Sequence, residues 1–245
     1  MTSEVTFGHD SVIRPRIFTG VPRLDEVWFE RFATYNSADV SDAVGPLYTM
    51  DPRIAPLYEP IRKVVGQALT VKAWPGDNLA VHGALAMVEL GDVLVVDWRG
   101  RTDSCAAGAR TLVVPFERGL RGVVADGGWR DIDELREASM PVYACGRSAY
   151  SPPKQRPGEI NVPVSCGGVV VEAGDLVVAD DEGIAVVPSG ELEAVWAAVD
   201  AHGHPAGDRP DKYGRADTRR AQFEAVFADA EGRRVNVADA SSHRL

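Results

Sequence analysis

Cysteine is scarce in this chain. The three present, Cys105, Cys145 and Cys166, are scattered without CxxC spacing. Such a pattern excludes a zinc knuckle and a disulfide framework, and it reads each thiol as a small buried hydrophobe. Long apolar runs are also missing, since none approaches the roughly 18–20 residues that span a bilayer. The first residues, Met1 to Val5, carry neither a basic start nor an apolar core for secretion, so the expectation is a soluble cytoplasmic protein without membrane contact. Positive charge is in deficit: 26 Lys and Arg stand against 36 Asp and Glu, a net charge of -10. That balance argues against nucleic-acid phosphates as the main ligand. An anionic ligand must therefore find its cation locally.

What is present describes a globular domain. The 245 residues, 45% of them hydrophobic, allow one large domain or two small ones with a sizeable core. Leu24, Val27, Trp28, Arg31 and Phe32 fall on one helical face, with the Arg stem able to cover apolar surface. Residues 37–44 predict a short helix stopped by Gly45-Pro46, and 51–60 an irregular proline-rich stretch. Strands are expected over 64–71 and 93–97, with a helix between them over 79–90 that Asp77 or Asn78 could cap. A helical stretch over about 104–118, a strand from Val123, a strand over 141–144 and a polar loop over 151–158 follow. Residues 167–180 repeat the earlier Gly-Asp-apolar pattern, and 184–188 return as an antiparallel partner. Leu192, Val195, Trp196 and Val199 mark one helix face, and 217–231 a terminal helix. No linker separates two domains, so the reading is an α/β domain over 1–201 with a helical extension over 202–245.

The chemistry concentrates at Val123-Val124-Ala125-Asp126-Gly127-Gly128-Trp129-Arg130-Asp131-Ile132-Asp133-Glu134. An apolar strand runs through two glycines into an Arg-Asp pair at the start of an acidic helix over 130–137. In α/β proteins, strand ends that open onto helix starts are where ligands bind. A guanidinium suits an oxyanion and a carboxylate suits a hard cation, which points to a metal-assisted enzyme acting on an oxo-acid. The same two residues also read as a surface ion pair capping a helix, and the residues alone leave both open.

Five strings in order resemble a known family: 65–71, 75–79, 91–97, 122–131 and 174–188. Together they look like the family that joins the regulator of ribonuclease activity A to the class II 4-hydroxy-4-methyl-2-oxoglutarate aldolases, over about 37–201. The resemblance implies a compact α/β fold of the swivelling β/β/α type. It implies homotrimers, or hexamers built from trimers, with sites in clefts between subunits. In the aldolase branch, Mg²⁺ or Mn²⁺ holds the pyruvyl end of the substrate, and an Arg-Asp pair followed by an acid marks that branch. Here the marker is Arg130, Asp131 and Glu134.

The implied activity is a lyase that cleaves a 4-hydroxy-2-oxo acid to pyruvate, with decarboxylation of oxaloacetate through the same enolate. Asp131 would be the direct metal ligand and Glu134 a ligand through water. Arg130 would stabilise the enolate oxygen, a contribution of ~10²–10³ in rate for a positioned donor. Asn78, Gly108, Arg110 and Thr111 would join Arg130 in lining the substrate pocket. The alternative is a regulator-like trimer that docks on a protein partner without chemistry.

One position departs from the family pattern. Aldolases of this type carry an acid after the glycine in the helix before the Arg-Asp strand, and here Gly108 is followed by Ala109 and Arg110. Loss of an outer-shell carboxylate weakens metal binding by about 10–100-fold, so Ala109→Glu is expected to tighten it, unless Asp103 takes the acidic role. The remaining candidates read more plainly. Asp77 is a cap, Asp97 and Asp126 are turn-formers, His82 is a packed histidine and His202 and His204 mark a loop. The terminal helix, with Phe223, Val226 and Phe227, would cover a neighbouring subunit and could lend Glu224 or Glu231 to its cleft.

Overall fold

In the computed structural model, the described residues are 14–202, together with 223–226 and 228. The chain separates into two units, Met1–Ala206 and Gly207–Leu245. The first holds α1 (Glu26–Ala33), α2 (Ser37–Val44), β1 (Ala55–Pro56), β2 (Val64–Lys72), α3 (Leu79–Ala86), β3 (Asp92–Cys105), α4 (Ala109–Glu117), β4 (Gly122–Trp129) and α5 (Ile132–Glu137). It continues with β5 (Val142–Arg147), β6 (Glu159–Ile160), β7 (Val164–Cys166), β8 (Val169–Val171), β9 (Leu176–Ala179), β10 (Ile184–Val187) and α6 (Leu192–His202). Helix α6 thus runs through the boundary expected after Ala201. In the second unit the described residues 223–226 and 228 are helical. The rest of the expected terminal helix, with Phe227 and Glu231, and His204, lie outside the described residues.

The main sheet has the order β1-β5-β4-β3-β2-β9-β10, with β6 also on β2. Strands β2, β3, β4 and β5 run parallel, while β1, β6, β9 and β10 pair antiparallel at the flanks. Parallel strands buried on both faces need nearly continuous apolar runs, and Val93 to Val96 supply one. Alternation then sorts their side chains. Leu94 and Val96 join Val81, Leu112, Val123 and Leu135 beneath α3, α4 and α5. Val93 and Val95 face the opposite way and pack with Val124, Val164, Val171 and Val177 against the β7–β8 hairpin. Helices α1, α2 and α6 close the β9–β10 end around Phe29, Phe32, Val178 and Leu192. This layering of hairpin, sheet and helices is a single compact α/β domain of the swivelling β/β/α type. No helix among the described residues is long and apolar enough to cross a membrane.

Several local expectations shift. Phe29 rather than Val27 turns into the core, because α1 begins at Glu26, where Asp25 caps it by accepting from the Val27 N–H at 3.0 Å. Arg31 lies across Trp28 and Trp196, at 4.8 and 5.6 Å from the ring centroids, so its stem does cover apolar surface. Helix α3 stops at Ala86 instead of 90, and α5 starts at Ile132 instead of 130.

The largest change is in β3, which runs on to Cys105, so that residues 104 and 105 are strand and α4 begins only at Ala109. Its polar second half is invisible to an apolar-period reading. It is held instead by pairing of Arg101 with Gly127 and Cys105 with Gly128. A kink at Arg99 (φ 58) and Gly100 (φ 68) shifts the register, and Asp97 Oδ1 accepts from the Arg99 N–H at 3.1 Å, the turn-forming role expected of it. Gly127 is required here, because a β-carbon would lie 2.5 Å from Trp98.

Candidate active site at the strand ends

The carboxyl ends of the parallel strands open on one side of the sheet, and three of the four deliver parts of one constellation. After β2 comes Asn78, after β3 Gly108, and after β4 Arg130 and Asp131. The segment 105–108 joins them. Asn78 Nδ2 donates to the Ala106 carbonyl at 2.9 Å, the Ala106 N–H donates to Gly128 O at 2.8 Å, and the Arg130 N–H donates to Ala107 O at 3.3 Å.

Gly108 is where the pieces touch. A β-carbon there would overlap Asp131 Oδ2 and lie 2.9 Å from Arg130 Cγ. The Asp131 carboxylate therefore sits directly over the start of α4. Gly108 is the N-cap of that helix and offers no side-chain hydrogen bond, so N–H groups of the first turn are left without a capping side chain. Asp131 itself takes a left-handed conformation, φ 62 and ψ 48, which Asp tolerates better than most residues. Arg130 Nε stands 3.8 Å from Asp131 Oδ2, with side chains 41% and 28% exposed.

Two polar atoms at the site are buried without a hydrogen-bond partner: Arg130 Nε and Asn78 Oδ1. Asn78 is only 1% exposed, so an unmet acceptor there costs free energy unless something else meets it. Asn78 does not cap α3, since its side chain makes no cap bond. Asp77 does so instead, accepting from the Leu79 N–H at 3.0 Å.

The other sequence-predicted residues are dispersed. Thr111 turns its hydroxyl back onto Gly108 O at 2.7 Å, and Arg110 is exposed on α4. Glu134 is exposed in the first turn of α5. Ala109 is 3% exposed and packs in the apolar cluster beneath the helices, so it faces the core. Asp103 is exposed and engaged by Arg101 at 2.5 and 3.0 Å. With position 109 in that apolar cluster, an Ala109→Glu side chain starts from the core, against the expectation that it rebuilds an outer-shell carboxylate. Asp126 is no turn-former. It is buried and accepts from Arg53 at 3.1 Å, Cys145 Sγ at 3.2 Å and the Gly167 N–H at 3.2 Å.

The burial expected of Cys105 and His82 holds, but the charges around them were not legible in the sequence. Cys105 is buried, which pushes its thiol pKa up, and Arg130, Asp131 and Lys154 are its charged neighbours. His82 has its pKa lowered by partial burial and then by Lys154. The loop over 151–158, read only as polar and proline-rich, therefore brings a cation near Cys105 and His82. Nothing in its local pattern signals that.

The residues present fit a hydrated divalent cation. No cluster of three or more metal-ligating side chains occurs among the described residues. One carboxylate such as Asp131 is enough protein ligation for a mostly hydrated Mg²⁺ or Mn²⁺ that shares its remaining positions with waters and a substrate.

The comparisons agree with this architecture. The chain matches the family described as RraA-like, Aldolase/RraA, over residues 37–186. A protein of Halalkalibacterium halodurans provisionally named 4-hydroxy-4-methyl-2-oxoglutarate aldolase is 39% identical over 67% of this chain and 78% of its own. The 4-hydroxy-4-methyl-2-oxoglutarate aldolase of Thermus thermophilus is 31% identical over 51% of this chain and 76% of its own. Among solved structures, Streptomyces coelicolor RraAS2, described as an unusual member of the RNase ES inhibitor RraA family, aligns with a TM-score of 0.66. It is 28% identical and covers 75% of this chain and 95% of its own. With the family match spanning more than half the sequence and the fold in agreement, this chain belongs to the Aldolase/RraA family.

Proposed function

We propose that the protein is a divalent-metal-dependent aldolase that cleaves a 4-hydroxy-2-oxo acid to pyruvate and also decarboxylates oxaloacetate. The observation that carries this reading is the seat of Asp131 against Gly108, with Arg130 Nε in ion-pair range at 3.8 Å and without a hydrogen-bond partner. The aldolase names of relatives at 31–39% identity support it.

In the reaction, the C3–C4 bond breaks and the C4 hydroxyl loses its proton to become a carbonyl. The electron pair passes to C3 as the enolate of pyruvate, which then takes up a proton. Asp131 would hold Mg²⁺ or Mn²⁺ directly and Glu134 would hold one of its waters. When bound, the cation supplies Lewis-acid polarisation of the 2-oxo group. Arg130 donates to the oxygen on which negative charge develops, and its fork geometry suits that better than a point charge. Asn78 offers its unpartnered Oδ1 to a donor on the substrate or its water shell. The uncapped N-terminus of α4 favours the substrate carboxylate electrostatically, beside the exposed Arg110. A homotrimer or hexamer belongs to the same reading.

The test is pyruvate release from oxaloacetate with Mg²⁺, abolished by chelator and restored by metal. Structural relatives described as RNase or RNA-processing inhibitors favour a second reading, a regulator that binds a protein partner. Absence of pyruvate from oxaloacetate and from a panel of 4-hydroxy-2-oxo acids would leave that one standing.

A further inference from the structure

The loop over 148–158 follows β5, the fourth of the parallel strands, and is stitched along its length to the residues that carry the site. The Ser148 N–H donates to the carbonyl of Trp129, the residue before Arg130, at 2.9 Å. Tyr150 O accepts from the Cys105 N–H at 2.8 Å, and Pro153 O accepts from the Asn78 N–H at 3.2 Å. Arg156 lies over Trp74 at 4.7 Å. The last stitch is a side chain: Asp77 Oδ2 accepts from the Gln155 N–H at 2.7 Å while its Oδ1 accepts from the Leu79 N–H at 3.0 Å.

Asp77 is 2% exposed, and each of its two oxygens meets a backbone donor. A helix cap needs only one acceptor. The second oxygen reaches across to the strap, 78 residues away in sequence, so capping does not account for it. Between the two bonds lies Asn78, fixed from one side by the strap through its N–H and from the other by Ala106 through its amide.

We infer that Asp77 is a positioning residue that clasps the 148–158 strap to the Asn78 turn and so holds one wall of the site in register. The inference rests on the function proposed above and extends it to a residue that touches neither substrate nor metal. Only a carboxylate satisfies both donors. Asn at position 77 keeps the cap through its oxygen but turns an N–H₂ toward the Gln155 N–H, and Ser keeps the cap but lacks the reach.

The experiment compares wild type with Asp77→Asn, and with Asp77→Ser should the first fail to fold. One arm is limited trypsin digestion, because Lys154 is exposed in the strap and precedes Gln155, whereas Arg156 precedes Pro157 and is resistant. Cleavage after Lys154 is expected to accelerate about tenfold or more in the variant. The other arm is steady-state kinetics on oxaloacetate with Mg²⁺, where KM is expected to rise about tenfold with kcat changed far less, as for loss of a binding wall. Cleavage at the wild-type rate overturns the clasp. Faster cleavage with KM and kcat both unchanged overturns the positioning role. If the wild type itself forms no pyruvate, the proposed function falls, and proteolysis alone still decides whether Asp77 holds the strap.

Discussion

The carboxylate of Asp131 occupies the volume that a β-carbon would take at Gly108, so these two residues, from different crossovers, keep this seat only while position 108 is glycine. The φ of Gly108 is -143, an ordinary extended value, so the requirement is one of space and not of backbone conformation. Gly108→Ala is expected to displace Asp131 and Arg130 together. A displacement near 1 Å costs about 10²-fold in rate. Oxaloacetate decarboxylation should fall by that order while the circular dichroism spectrum stays that of the wild type. Wild-type turnover in the Ala variant would mean that Asp131 does not work from this seat.

Asp131 is best tested with Asn rather than Ala. At φ 62 an Ala adds about 1–2 kcal/mol of left-handed strain, which Asn largely avoids. Asp131→Asn removes the charge and keeps the conformation. It is expected to abolish chelator-sensitive pyruvate release and to weaken Mn²⁺ binding measured by calorimetry. Arg130→Lys should leave metal binding in place and lower kcat, because a point charge replaces the fork.

Ala109→Glu is expected to destabilise the protein without improving metal binding. The side chain would place a carboxylate in the apolar cluster that includes Leu112 and Leu94. An uncompensated buried charge costs about 3–5 kcal/mol. A thermal melt several degrees below wild type, with an unchanged Mn²⁺ isotherm per folded molecule, is the anticipated result. Tighter metal binding in a fully folded variant would refute the core placement of position 109.

His82 gives a pH dependence of known sign. Burial, then Lys154, lowers its pKa in the folded state below the unfolded value of about 6.5. Between those two pH values the unfolded chain holds a proton that the folded chain does not, so stability rises with pH across that window and is flat above it. Acidification from about pH 6.5 thus destabilises through this group. His82→Gln should flatten the melting temperature over the same interval relative to wild type. Parallel curves for the two proteins would remove His82 from the account.

Much of the framework was legible because burial leaves a periodic signature. Val93 to Val96 and the 184–187 return read as strands, and residues 37–44 as a helix, since their neighbours along the chain suffice to define them. The Arg130-Asp131 pair at a strand's end was legible for the same reason: glycine and charge following an apolar run is a local pattern. The polar half of β3 was not, because Arg101 and Cys105 are held in a strand by Gly127 and Gly128 across the sheet and not by their own sequence.

Tertiary structure alone decided which residues meet. The sequence presents Ala109 as a gap beside a site, and packing beneath the helices turns it into the core. It presents Asp77 as a cap, and the fold brings Gln155 to its second oxygen. Asp126 looked like a turn-former until Arg53, Cys145 and Gly167 arrived around it from three other segments. Local pattern fixes where a strand ends and which groups lie there. The direction each group faces, and the distant backbone that satisfies it, depend on hydrogen bonds and close contacts between segments far apart in the chain, and no window of sequence contains both sides of such a contact.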